Sequence, residues 1–328
     1  MRKIIIFILA IIIVTFVIPV IFTNQRQIET MSRQEEKIEE AEYEYSKYGT
    51  IKLLHNLTGE VEELDLDNYL LGVVSAEMPV GYDIEALKAQ AVVARTYTIY
   101  TTIHNKNKHE NADICDNSSC CQAWISKEDR LNKWEEDKRE ENWRKIEEAV
   151  SSTKGKIVTY NGEPINAFFH SNSGGTTEIP INVWGGSNYP YLQVIATSGE
   201  DNYSQYQSVV ELTKEEVLSR LKEKHEDAEI DWKTEEPIKI LEYTESGRVR
   251  TVKVGNVNLS GVEARSIFGL KSANFETKIE GGKVIFSVKG YGHGVGLSQT
   301  GSDSLAKQGK NYEEIIKHFY KDIEITNY

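Results

Sequence analysis

Cysteine is almost absent from this chain. Three of its 328 residues carry a thiol, and Cys115, Cys120 and Cys121 fall within seven positions. An odd number with two adjacent members fits a disulfide framework poorly. Positive charge is also short: 38 Lys and Arg stand against 51 Asp and Glu, a net charge of −13. That balance argues against nucleic acid as the ligand. No Gly-Lys-Ser/Thr phosphate loop occurs. Gly290 to Gly296 lacks the strand–helix context and the following acidic residue that dinucleotide binding requires. There is no internal repeat.

Long apolar runs are missing except at the start. Arg2 and Lys3 precede an uncharged stretch from Ile4 to Thr23, long enough to span a bilayer as a helix. It ends without an Ala-x-Ala site, so residues 1–23 read as an uncleaved anchor. The leading charges put the N-terminus inside and the bulk of the chain outside the cytoplasmic membrane. Residues 24–48 are Glu-rich and lack glycine and proline, which suits a solvated helical spacer.

From residue 50 the text is first helical, then β. Ile51 to Leu57 reads as a strand. Asp67 can cap a helix over Asn68 to Met78, with Leu70, Val73 and Val74 on its apolar stripe and Pro79 as its stop. A second, alanine-rich helix starts near Asp83 and runs through Tyr97. A charged stretch from Ser126 to Val150 reads as an exposed helix. Hairpins are expected at Asn161-Gly162 and Gly281-Gly282, and capping boxes at Thr213/Glu216 and Ser260/Glu263. Two short helices close the chain. The expected fold is α+β: a helical first half and a largely antiparallel second half, forming a bilobed domain over 50–328 with a cleft.

Four positions could ligate a metal. His109, Cys115, Cys120 and Cys121 supply one imidazole and three thiolates, the number a closed tetrahedral zinc site needs. A disulfide with one spare thiol is the competing reading, since the chain is expected outside the cytoplasm. A closed zinc is structural, so the chemistry must be sought elsewhere.

Glu77 follows Leu70 by seven residues, Val73 by four and Val74 by three, which places it on the apolar face at the helix C-terminus. Desolvation and the helix dipole both disfavour its ionised form. A carboxylic acid kept protonated near neutral pH is what general-acid cleavage of a glycosidic bond needs. On helix position alone, a glutamate bending out to water is the commoner outcome. Arg95 is either a surface ion-pair partner or a group that holds an acetamido or lactyl substituent, or that tunes Glu77. His170 and His293 each follow a strand into a Gly-rich loop, which suggests a shared cleft.

Taken together, Leu71–Pro79, Glu85–Tyr97, Phe169–Gly175 and Gly292–Gln299 resemble the SpoIID family, membrane-anchored lytic transglycosylases of spore-forming bacteria. The resemblance covers about residues 50–328. It implies that Glu77 is the catalytic acid/base, which reverses the odds from position alone. It implies that Arg95, Tyr97, His170, Ser171, Ser173, Gly174, Gly175, His293 and Gln299 bind glycan. The family's zinc block commonly reads His, Cys, His-Cys. His109, Cys115 and Cys121 match it, and Cys120 stands where the second histidine is expected.

The implied chemistry uses one carboxyl twice and makes 1,6-anhydro-MurNAc ends in peptide-stripped peptidoglycan. The implied setting is the mother-cell membrane during engulfment, with a cell-wall amidase and a further membrane protein as partners. The rival readings are a catalytic zinc amidase, a glycan-binding module that enhances an amidase without catalysis, and a tethered structural protein.

Overall fold

The computed structural model of the chain describes residues 49–105, 108–187 and 189–328. The expected anchor (1–23) and spacer (24–48) lie outside them. Among the described residues no helix is long and apolar enough to cross a membrane. Residues Gly49–Thr326 pack as one unit.

The chain opens with a hairpin, β1 (Thr50–Leu54) and β2 (Val61–Asp65), and enters α1 (Leu66–Glu77). Asp65, not Asp67, caps α1; its carboxylate accepts from the amides of Asp67 and Asn68. Asp67 instead sits in the first turn, where a carboxylate also suits the helix dipole. Met78 ends the helix in an extended conformation, φ −117°, because Pro79 crowds the α region of the residue before it. Tyr69, Leu70, Val73 and Val74 are fully buried. Each such side chain contributes about 1.5–3 kcal/mol of hydrophobic stabilisation.

Asp83 caps α2 (Ile84–His104), which runs past Tyr97 for two further turns. β3 (Ile114–Cys115) then joins β1 in parallel. The expected single helix over 126–150 is divided into α3 (Lys127–Asn132) and α4 (Arg139–Ser151). It is not simply exposed either: α4 buries Trp143, Ile146, Ala149 and Val150. β4 (Lys156–Tyr160) turns through Asn161 and Gly162, both at positive φ, into β5 (Glu163–Pro164). This is the favoured two-residue turn, but the return strand is only two residues long.

β6 (Phe169–His170) and α5 (Pro180–Trp184) lead into β7 (Gln207–Thr213), α6 (Lys214–Lys222), β8 (Ile238–Tyr243), β9 (Val249–Val254), β10 (Val257–Ser260), α7 (Gly261–Phe268), β11 (Phe275–Glu280) and β12 (Lys283–Lys289). β13 (Leu297–Ser298), α8 (Gln299–Lys307), α9 (Tyr312–Phe319) and β14 (Glu324–Asn327) complete the order. The capping box at Thr213/Glu216 is formed, and Ser260 accepts from the amide of Glu263.

Helix α2 is the axis of the helical part and packs against α1, α4, α8, α9 and β4. It can do so because it is buried on almost every side: Ala86, Ala89, Ala91 and Ala94 have no accessible surface. The later strands make two antiparallel three-stranded sheets, β11-β12-β7 and β10-β9-β8. With α6 and α7 they enclose their own core, including Leu212, Val217, Phe268, Phe275 and Phe286. The fold is α+β, with antiparallel sheet dominant in the second half. Parallel pairing between β6 and β13, with Leu297 opposite Phe169 and Ser298 opposite His170, brings the two Gly-rich motifs side by side.

Candidate functional site: a carboxyl cleft beside a cysteine cluster

Glu77 is the last residue of α1, so its side chain projects where the helix stops and the chain turns at Pro79. It faces a cleft of about 290 Å³ lined by Tyr82, Arg130, Trp134, Ser171, Tyr291 and Gln299, among others. Glu77 is the only carboxylate among the described lining residues. The Ala123 amide donates to its Oε1 at 2.6 Å, and Gln299 Nε2 lies 3.5 Å from its Oε2. Burial pushes the Glu77 carboxyl above the usual range; the Ala123 and Gln299 contacts offset this only in part.

The Ala123 amide is held in place by what precedes it. The candidate ligand atoms of His109, Cys115, Cys120 and Cys121 all lie within 4.8 Å of one another. His109 Nε2 is 3.2 Å from Cys121 Sγ and 3.8 Å from Cys120 Sγ, and the two sulfurs are 3.9 Å apart. Tetrahedral zinc with bonds of about 2.3 Å sets sulfurs about 3.8 Å apart, so the donor set fits that ion. All three cysteines are free thiols, and 3.9 Å is far beyond a disulfide bond. Burial pushes the Cys115 thiol up to about 12. A divalent cation among the sulfurs would reverse that tendency.

Directly after the cluster, Gln122 is fully buried and donates to Tyr69 Oη and Thr98 Oγ1. Trp124 then lies against Gly72 of α1, where an added Cβ would come within 2.2 Å of the indole nitrogen. The cluster, Gln122, Ala123 and Trp124 thus form one continuous support for the cleft carboxyl.

Of the residues expected to bind glycan, Ser171 and Gln299 line this cleft. The others are placed differently. Arg95 is fully buried and donates to the Thr153, Lys156 and Val150 carbonyls, pairing with Asp67 at 3.2 Å. Asp67 is at the opposite end of α1 from Glu77, about 15 Å along the helix axis. Arg95 therefore ties α2 to the C-terminus of α4 and is not beside the carboxyl. Tyr97 is also buried; it packs on Phe168 and Phe169, with ring centroids 6.3 and 6.5 Å away.

Ser173 and Gly175 serve a buried carboxylate that the sequence did not flag, while the Gly174 amide donates to Asn172 Oδ1. Glu200 is 1 % exposed and accepts from Ser173 Oγ at 2.5 Å, from Thr197 Oγ1 at 2.6 Å and from the Gly175 amide at 3.2 Å. Ser298 Oγ donates to its other oxygen. Gly174, at φ 67°, lets the Lys289 backbone approach to where a Cβ would sit at 2.9 Å.

His170 and His293 do meet, with ring centroids 5.8 Å apart. Burial and Arg248 hold His170 down to about 3, and burial holds His293 well below its usual value. Both are neutral rings at pH 7. His293 faces a second, narrow cavity with Glu178, Arg248 and Arg265. The sequence reading missed Tyr82, Arg130, Trp134 and Tyr291. Trp134, an aromatic inside a charged stretch, was the one signal there to follow.

The family model for SpoIID, described as stage II sporulation protein, matches residues 55–160, which hold Glu77, α2 and the cysteine cluster. Stage II sporulation protein D of Bacillus amyloliquefaciens is 34% identical over 268 residues, covering 81% of this chain and 75% of that one. Its counterpart from Bacillus subtilis (strain 168) is 33% identical, covering 84% and 79%. An amidase enhancer of Bacillus subtilis (strain 168) is 29% identical and covers 79% of this chain but 40% of its own length. With a third of its residues shared along most of both chains, the protein belongs to the SpoIID family of stage II sporulation proteins.

Proposed function

We propose that the protein is a lytic transglycosylase that cleaves the MurNAc–GlcNAc bond of peptidoglycan glycan strands during sporulation. The observation that carries this reading is a lone carboxyl, raised by burial, in an aromatic- and amide-lined cleft. Hydrolytic glycosidases need two carboxylates flanking the bond. Here one group serves twice. Protonated Glu77 gives its proton to the glycosidic oxygen as the C1–O bond breaks. The carboxylate left behind is held by the Ala123 amide and by Gln299. It then takes the proton of the MurNAc C6 hydroxyl as that oxygen bonds to C1. The product is a 1,6-anhydro end, no water is consumed, and Glu77 is protonated again.

His109, Cys115, Cys120 and Cys121 would hold zinc as a closed, structural site. When bound, the ion supplies cross-linking of the loop that carries Ala123, not a reacting centre. Residues 1–23 would anchor the chain with its catalytic domain outside the cytoplasmic membrane, where a cell-wall amidase supplies peptide-free strands.

A second reading follows from the amidase-enhancer relative: a glycan-binding module that stimulates an amidase without cleaving. Mass spectrometry of peptide-free glycan incubated with the protein separates the two. The transglycosylase reading expects 1,6-anhydro-MurNAc ends. Reducing MurNAc ends mean hydrolysis, and intact glycan bound by folded, zinc-loaded protein favours the module.

A further inference from the structure

The two oxygens of Glu77 are held in different ways. The Ala123 amide reaches Oε1 at 2.6 Å and, as backbone N–H, can only donate. Oε2 meets Gln299, the first residue of α8, whose Nε2 lies 3.5 Å away. The same Nε2 is 3.5 Å from Oε1 of Gln90, a fully buried residue of α2. In that arrangement Gln90 Nε2 is shut off from water and has no hydrogen-bond partner. A buried donor left so is uncommon, because it gives up hydration and gains nothing in return.

This orientation suits a Glu77 carboxylate, and a protonated Glu77 needs the opposite one. Ala123 occupies Oε1, so the proton belongs on Oε2. An O–H there requires an acceptor, and an amide nitrogen is not one. The oxygen and nitrogen ends of a glutamine have nearly the same shape and exchange places by a half-turn of the terminal torsion. With both glutamines turned over, Gln90 donates to the Gln299 oxygen, and that oxygen also accepts from the Glu77 O–H. The stranded donor of Gln90 is then used.

Resting on Glu77 as the proton donor of the reaction proposed above, we propose that Gln90 is a positioning residue: it turns the Gln299 amide so that its oxygen holds the Glu77 proton on Oε2. Once that proton has passed to the glycosidic oxygen, the pair turns back and Gln299 donates to the carboxylate. Only the one proton changes hands. Burial already favours the acid form of Glu77, and the stranded Gln90 donor penalises the carboxylate form further. The other titratable groups on the cleft wall are Arg130 of α3, Tyr82 and Tyr291, and none of them hydrogen-bonds Glu77.

The test is a carbon-13 titration of the Glu77 carboxyl in the full-length protein, wild type against Gln90→Met, which fills the same space without an amide. Freed from Gln90, the Gln299 amide can donate to the carboxylate at all times. The Glu77 midpoint should therefore fall, its acid dissociation constant rising roughly fivefold, the scale of one neutral hydrogen bond. The alkaline limb of the cleavage profile should move to lower pH with it. An unchanged midpoint overturns the proposal and leaves Gln90 a space-filling role. A raised midpoint also overturns it, because Gln90 would then be holding Gln299 as a donor. In wild type the side-chain nitrogen-15 signals of Gln90 and Gln299 should titrate with the Glu77 midpoint. If Gln90→Met does not fold, that measurement decides, and a Gln90 signal indifferent to the Glu77 proton overturns the proposal. Failure of the parent reading looks different: a midpoint lowered by Gln90→Met, with no 1,6-anhydro ends made by wild type, sustains the amide pair and discards the transglycosylase.

Discussion

Among the described residues, Glu178 and Glu200 are fully buried and Glu77 is partly so, and the three are supplied with hydrogen-bond donors very unequally. Glu200 takes donors from Ser173, Gly175, Thr197, Ser298 and Thr300. Glu178 takes them from Ile179, Asn182, Thr244 and Ser246. Burial pushes the Glu178 carboxyl up, but those hydrogen bonds outweigh it and the net shift is downward. Glu77 has one close donor, Ala123, and one long contact, Gln299, so burial wins and the shift is upward. Between Glu178 and Glu77, donor supply and not burial sets the sign. Glu178 is oversupplied with donors, and the carboxyl in the cleft is left able to hold a proton.

The contrast breaks most visibly at Glu77. Glu77→Gln keeps the shape and removes the transferable proton, so cleavage should fall by roughly 10²–10⁴-fold with the thermal melt intact. Glu200→Ala should do the reverse. It strands several buried donors and should cost about 3–5 kcal/mol in a urea melt, without shifting the pH at which cleavage fails. Arg95→Met should behave like Glu200→Ala, losing about 3 kcal/mol by the same melt with KM for glycan unchanged.

The pH dependence of stability should have opposite signs at the two sites. Glu178 is depressed in the folded state, so its contribution is full above about 4.3 and is lost as pH falls through its lower folded value. Glu77 is raised, so its contribution is full below about 4.3 and is lost as pH rises through its folded value. Glu77→Gln should therefore raise the urea midpoint at pH 8 and leave it unchanged at pH 3, whereas Glu178→Gln should lower it at pH 7. The smallest effect is expected at the cluster. On the proposed zinc reading, Cys120→His should bind zinc as wild type does by metal analysis, with a melt within about 1 kcal/mol, while Cys115→Ala binds none.

Local signals explain what could be read from the sequence. Spacing from Leu70, Val73 and Val74 put Glu77 on a helix face, and Pro79 fixed where that helix stops. Asn161-Gly162 and Gly281-Gly282 marked their turns because each turn demands positive φ. The four metal-ligating candidates also gather in space. Arg95 was misplaced because α2 is buried all round, so helical period gives no direction, and its carbonyl partners lie more than 50 residues downstream. Glu200 was invisible for a related reason: apart from Thr197, its donors lie at least 25 residues away, in the loop after β6 and at the β13–α8 junction, which the β6–β13 pairing brings together. Arg130 and Trp134 sat in a run of charge that read as solvated surface.

The most direct test is a site-resolved titration of the glutamate carboxyls by carbon-13 NMR, following Glu77 and Glu178 in the same sample. The account predicts a midpoint for Glu77 above the ordinary glutamate value of about 4.3 and one for Glu178 below it. A Glu77 midpoint at or below that of Glu178 would contradict it, because the cleft would then hold no proton to give.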